Sequence, residues 1–273
     1  MFTRASQVAM AFLVAQALYA AEEKLPRELE GTGIEEKLGS SIDLDLQFTA
    51  ENGYQIPLRN YFAKRKPVVL NLVYYNCPML CNLVLNGQLA ALKEIPWTPG
   101  SEFEIVTISI DPMENWGLAV RKKSYYMEAY GKDAHPGWHF LTDYQGNVKK
   151  LAEQVGFSYR WDEKTNQFAH AAALMVLTPD GRVSRYLYGI RFKPRDVRLA
   201  LTEASEGKLG SIGDRILMFC FHYDPVSRSY VPFARNIMRA GGVLTILIFG
   251  GILLLLFSRD RTRPVPDELV AAK

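Results

Sequence analysis

Cysteine is scarce in this chain, with three residues among 273, at positions 77, 81 and 220, and histidine is nearly as rare, at 135, 139, 170 and 222. So few soft ligands rule out a closed structural zinc site or an iron–sulfur cluster unless other side chains join. A surplus of charge is also missing: 32 basic residues face 29 acidic ones, a formal net charge of +3. That balance says little about partners and gives no reason to expect nucleic acid. No internal repeat and no low-complexity tract is visible. What remains, 48% hydrophobic and 22% charged, suits one globular domain plus extra segments.

Two long uncharged runs lie near the ends. The N-terminus carries one basic residue, Arg4, then an apolar run over 8–20 closed by small residues and followed by Glu22-Glu23-Lys24. That order reads as a secretory signal peptide or anchor over 1–21. Near the other end, 240–257 ("AGGVLTILIFGGILLLLF") holds no charge. As a helix it would extend roughly 27 Å, close to the hydrocarbon thickness of a bilayer, and it is expected to be a transmembrane helix. Arginines flank it on both sides, so their count does not orient it, but the signal does. The main domain would be exported, periplasmic or extracytoplasmic, on a single C-terminal span in the cell membrane, with a cytoplasmic tail over 258–273. Residues 22–41 read as a linker, 42–208 as the domain and 209–239 as a juxtamembrane segment. In an exported domain an accessible dithiol is normally a disulfide or holds metal.

Within the domain, strand and helix patterns alternate. Residues 44–62 alternate weakly and carry the hairpin signal Asn52-Gly53. The run 68–75 is apolar and β-branched, fit for a strand buried on both faces. A helix is expected over 78–94, from Leu85, Leu89 and Leu92 at helical spacing, with Pro96 as its stop. Residues 103–111 form a second buried strand, and 113–130 a helix closed by Gly131. A short strand ("WHFLTD"), a helix over 147–155, a hairpin of 170–177 with 182–188 around Thr178-Pro179-Asp180-Gly181, and a helix over 194–206 follow. The expected fold is α/β, a thioredoxin-like mixed sheet flanked by helices.

Cys77 and Cys81 fall where the first buried strand becomes a helix, in "YYNCPMLC". Unpaired N–H groups and the helix dipole there favour a thiolate, and residues four apart share a helix face. A structural disulfide at this spacing would close too small a loop to constrain the unfolded chain much. A thioredoxin-type redox pair has two intervening residues where this chain has three. Soft thiolates suit copper(I). A third ligand is offered by His170, expected to open the strand beside the cysteine strand, where a thioredoxin places proline. Cys77, Cys81 and His170 are therefore the candidate metal ligands, and Cys77 and Cys81 the candidate redox dithiol. His135 and His139 have metal-like spacing but are separated by Pro and Gly; Cys220 and His222 lie in an aromatic-rich segment; Met79 is a thioether turned away from the pair. Each of these reads more readily as packing than as a ligand.

The chain resembles the Sco/SenC family of membrane-anchored, thioredoxin-fold proteins over about 42–206. The resemblance rests on "YYNCPMLC", "TISIDP", "GWHFLT" and "HAAALMVLTPDGRV" in that order. It implies a copper ion held by Cys77, Cys81 and His170 and delivered to the dinuclear copper centre of cytochrome c oxidase subunit II. The alternative is a thiol-disulfide oxidoreductase that reduces the cysteines of that centre. A periplasmic copper donor and a thioredoxin-like reductant would be further partners, beside membrane lipid. Three departures stand out: Asn82 where many relatives have proline, Ala169 where many have aspartate, and a C-terminal anchor.

Overall fold

The structure, a computed structural model, describes residues 32–131, 137–205, 221–224, 229–232 and 241–253. In chain order the elements are β1 (Gly33–Ile34), β2 (Gln47–Thr49), β3 (Gln55–Pro57), α1 (Arg59–Phe62), β4 (Val68–Val73), α2 (Leu80–Glu94), β5 (Glu104–Ser109), α3 (Trp116–Tyr130), β6 (Trp138–Leu141), α4 (Asn147–Gln154), β7 (Phe157–Asp162), β8 (Gln167–His170), β9 (Ala173–Leu177), β10 (Val183–Tyr188), α5 (Pro194–Ala204), β11 (Phe221–Asp224) and β12 (Ser229–Pro232).

The most apolar strands take the centre. β4, β5 and β9 are buried along their whole length, as strands covered on both faces must be. They form a five-stranded sheet in the order β10-β9-β4-β5-β6. β4, β5 and β6 are parallel, while β9 is antiparallel to both β4 and β10. The sheet is thus mixed and thioredoxin-like. The β9–β10 hairpin turns at Gly181, whose φ of 81° suits a residue without a Cβ. The Asn52-Gly53 signal likewise marks the turn of the β2–β3 hairpin. Among the helices, α3 is capped by Asn115, whose side chain accepts the Leu118 N–H, and ends on left-handed Gly131. α5 opens on Pro194, where a missing N–H costs nothing. α2 packs against both α3 and α5.

Three features depart from the sequence reading. The expected strand over 170–177 is broken: His170 ends β8, and β9 begins at Ala173 in a different sheet. β8 pairs with β7 as an antiparallel hairpin, and β1 pairs with β7 on its other edge. This hairpin fills 157–170, where the sequence reading has no strand, because its polar sequence hides the alternation of Tyr159 and Trp161 opposite His170 and Phe168. Second, α2 starts at Leu80, two residues later than expected, because Met79 adopts φ −143° and ψ −75° outside the helix. Third, residues 33–41 are tied to the domain. The Glu35 N–H donates to the Gly156 carbonyl at 2.9 Å and the Lys37 N–H to the Tyr186 hydroxyl at 3.0 Å. Gly156 makes this possible, since a Cβ there would stand 1.8 Å from the Glu35 carbonyl oxygen.

Toward the C-terminus, β11 and β12 form an antiparallel hairpin. Of the expected span, 241–253 is a helix whose apolar side chains, Val243 to Leu253, stand largely exposed. It would extend about 20 Å. Among the described residues no helix is long and apolar enough to cross a membrane. Residues 240 and 254–257, and the signal segment over 1–21, lie outside the described residues.

Candidate metal centre

β4 ends at Val73 because a buried carboxylate captures the next backbone groups. Glu114, 2% exposed, accepts the N–H of Tyr75 at 2.7 Å and of Asn76 at 2.6 Å, and the Ser109 hydroxyl at 2.6 Å. Those contacts hold the turn that delivers Cys77 at the carboxyl end of the central strand. Burial, opposed by the three hydrogen bonds, lifts the Glu114 carboxyl above the usual range. Sequence reasoning missed this residue; the available signal was an acidic side chain placed between the buried strand β5 and the Asn115 cap.

Cys77 precedes the helix and is not in its first turn. Its sulfur accepts the Cys81 N–H at 3.3 Å, and its carbonyl accepts the Asn82 side-chain amide at 2.9 Å. The shared-face argument for the cysteines is therefore replaced by hydrogen bonding across the helix start. Cys81 lies within α2, fully buried, and its sulfur accepts the Tyr74 N–H at 3.4 Å. Neither cysteine is in a disulfide.

The two thiols differ sharply. A hydrogen bond from Cys81, against the cost of burial and with help from the N–H groups of Cys81 and Met79 and from the Tyr74 side chain, lowers Cys77 to about 5. Burial first, then the neighbouring Cys77 sulfur, pushes Cys81 well above the usual thiol range. At neutral pH the pair is one thiolate and one thiol.

The β7–β8 hairpin carries His170 over the dithiol. His170 is 6% exposed, and its Nε2 lies 3.0 Å from the Cys81 sulfur. Its Nδ1 lies 2.8 Å from the Ala171 carbonyl, which can only accept, so the proton sits on Nδ1 and the Nε2 lone pair faces the sulfur. Burial depresses the His170 pKa and keeps the ring neutral. The neighbouring carbonyl thus fixes the tautomer, with Ala169 offering no carboxylate. Phe157 and Tyr74 pack around the ring at centroid distances of 5.8 and 6.2 Å.

The structure therefore brings Cys77, Cys81 and His170 together. Among the described residues, however, no three His, Cys, Asp or Glu side chains stand as a ready-made cage. The contact already in place is Cys81 with His170. The other candidates separate. His139, on β6, pairs with buried Glu104 at 3.2 Å and packs on the Tyr61 ring at 4.6 Å. Met79 is 67% exposed. His222 lies on β11, its backbone opposite Val231, while His135 and Cys220 lie outside the described residues.

A thiolate–thiol pair at the end of the central parallel strand, roofed by a neutral imidazole, defines a thioredoxin-like protein with a histidine over its dithiol. The chain belongs to the SCO1/SenC family, whose sequence model matches residues 35–203; the family acts in copper handling and cytochrome c oxidase assembly. Among solved structures it is similar to a proposed electron transfer protein from Aquifex aeolicus VF5, at 25% identity and a TM-score of 0.55, covering 63% of this chain and 96% of that one. It is also similar to a SCO1/SenC family lipoprotein from Bacillus anthracis, at 17% identity and a TM-score of 0.50, covering 64% and 98%. Arabidopsis thaliana ScoI, solved with copper bound, superposes less well, at 20% identity and a TM-score of 0.44, covering 55% and 88%. No curated protein matches.

Proposed function

We propose that this chain is a membrane-anchored copper chaperone that carries copper(I) on Cys77, Cys81 and His170 and passes it to the dinuclear copper centre of cytochrome c oxidase subunit II. The observation that carries the reading is the 3.0 Å approach of a bare His170 Nε2 to the Cys81 sulfur. A protein working only by disulfide exchange has no need of a buried imidazole there. Two sulfurs and one neutral nitrogen form a soft donor set suited to copper(I). Binding would take the proton from Cys81 and let both sulfurs share the metal. Release would proceed by ligand exchange with thiols of the acceptor. Arabidopsis ScoI, a structural relative, was solved with copper bound, which agrees with this cargo.

The proposal extends to the layout: a signal or anchor over 1–21, the copper domain through 208, a juxtamembrane segment over 209–239, one span over 240–257 and a cytoplasmic tail. A periplasmic copper donor would load the site, a thioredoxin-like reductant would keep it reduced, and membrane lipid would hold it near the oxidase.

The second reading, a thiol-disulfide oxidoreductase, is favoured by the unequal cysteines. The Cys77 thiolate would attack a partner disulfide and expel one partner thiolate. Cys81, on losing its proton, would then close the Cys77–Cys81 disulfide and release the second, passing two electrons to the partner.

Competition titration with copper(I) separates the two. The parent is expected to bind one equivalent, and His170→Ala to lose more than the roughly 10–100-fold that removal of a merely supporting group costs, while its disulfide-exchange rate stays near that of the parent. Equal copper affinity in parent and variant would overturn the three-ligand site.

A further inference from the structure

Beside the dithiol, between α2 and α3, opens a cleft of about 440 Å³. Asn82 and Asn86 line it from α2; Arg121, Lys122, Tyr125 and Tyr126 face them from α3. No acidic side chain contributes to its walls. Lys122 Nζ donates to Asn82 Oδ1 at 2.8 Å, and the Asn82 amide donates to the Cys77 carbonyl at 2.9 Å. The cleft is therefore one side chain away from the thiolate-bearing residue.

Its charge is uncompensated. Lys122 spends one of its three donors on Asn82. Arg121 is exposed and, like Lys122, forms no ion pair among the described residues. Two cations in a concave wall without a carboxylate focus a positive potential on whatever enters. Arg121 and Tyr125 stand one helical turn apart, with Tyr125 60% exposed. Arginine beside an exposed tyrosine is the composition of a protein-docking anchor more than that of a small-anion pocket.

We propose that this cleft receives a carboxylate-bearing segment of the protein that accepts copper from the dithiol, and so holds that acceptor within one residue of Cys77. The identity of the partner as a copper acceptor rests on the function proposed above. The preference for an acidic chain does not.

The test is calorimetric titration of the full-length, reduced, copper-free protein in non-ionic detergent with a short, cysteine-free, glutamate-rich peptide and with its glutamine counterpart. At low salt the acidic peptide is expected to bind roughly tenfold tighter, an advantage that high salt erases. The double variant Arg121→Gln/Lys122→Gln should lose that preference. Lys149→Gln/Lys150→Gln, an equal change of charge on the exposed face of α4, should keep it, and a preserved melting temperature in both variants excludes misfolding. Equal loss in both variants would mean that net charge alone attracts the peptide, and would overturn the proposal. So would inorganic phosphate displacing the peptide at matching concentration, which would make the cleft a simple anion site. Peptide preference retained in a protein that takes up no copper(I) would uphold the cleft and refute the chaperone reading instead.

Discussion

The proton on His170 Nδ1 decides what the imidazole can do. With that proton donated to the Ala171 carbonyl at 2.8 Å, Nε2 is free to meet a soft metal or the Cys81 thiol. Combined with a Cys77 thiol lowered to about 5, a raised Cys81 and a depressed His170, this fixes the proton inventory of copper binding. Near and above neutral pH Cys77 is ionised, and His170, depressed below its ordinary range by burial, is neutral, so only Cys81 must give up a proton. Copper(I) uptake should release about one proton, and log affinity should rise by about one per pH unit. Calorimetry in buffers of different ionisation enthalpy measures this, and release of two would show that Cys77 is an ordinary thiol. The sign of the Tyr74 effect is equally definite. Its side chain makes the smallest of the contributions that hold Cys77 low. Tyr74→Phe should therefore raise the Cys77 pKa, read from the pH dependence of alkylation. An unchanged titration would remove Tyr74 from the site. Cys77, Cys81 and His170 were legible in the sequence because soft ligands are so few. Tyr74 and the Ala171 carbonyl were not, since one looked like strand core and the other is backbone.

At the scale of elements, the junction of β4 with α2 depends on a side chain from beyond β5. Glu114 uses both oxygens to satisfy Tyr75, Asn76 and Ser109. Glu114→Gln replaces one acceptor oxygen with a donor, leaving a backbone N–H facing another N–H. The expected cost is about 1–3 kcal/mol, a fall in melting temperature of roughly 2–4 °C for each kcal/mol in a domain of this size. Cys77 alkylation should speed up as its turn loosens. A variant as stable as the parent would show that the turn holds without the carboxylate. The strands β4, β5 and β9 could be read from their apolar runs, and α3 from its Gly131 stop, whereas its Asn115 cap was not read. The β7–β8 hairpin could not, because alternation over four to six residues with charges at its tip resembles a loop. That is also why His170 was assigned to the wrong strand, though to the right place: ending β8 or opening β9, it comes to the same end of the central sheet.

At the scale of the whole molecule, a domain built on a buried mixed sheet is joined to a helix over 241–253 that presents apolar side chains on its surface. The proposed anchor makes a simple prediction: the full chain should sediment with membranes and resist alkaline extraction, and truncation after residue 239 should release it. A truncated chain still held by membranes would place the anchor elsewhere. The central claim, however, is that two sulfurs and one imidazole share a single copper ion, although at present the Cys81 sulfur meets the ring at 3.0 Å and the Cys81 N–H donates to the Cys77 sulfur. X-ray absorption spectroscopy of the full-length protein loaded with one equivalent of copper(I) addresses that claim most directly. The account predicts a first shell of two sulfur scatterers and one imidazole nitrogen, with the nitrogen lost in His170→Ala. A sulfur-only shell, identical in parent and variant, would contradict it.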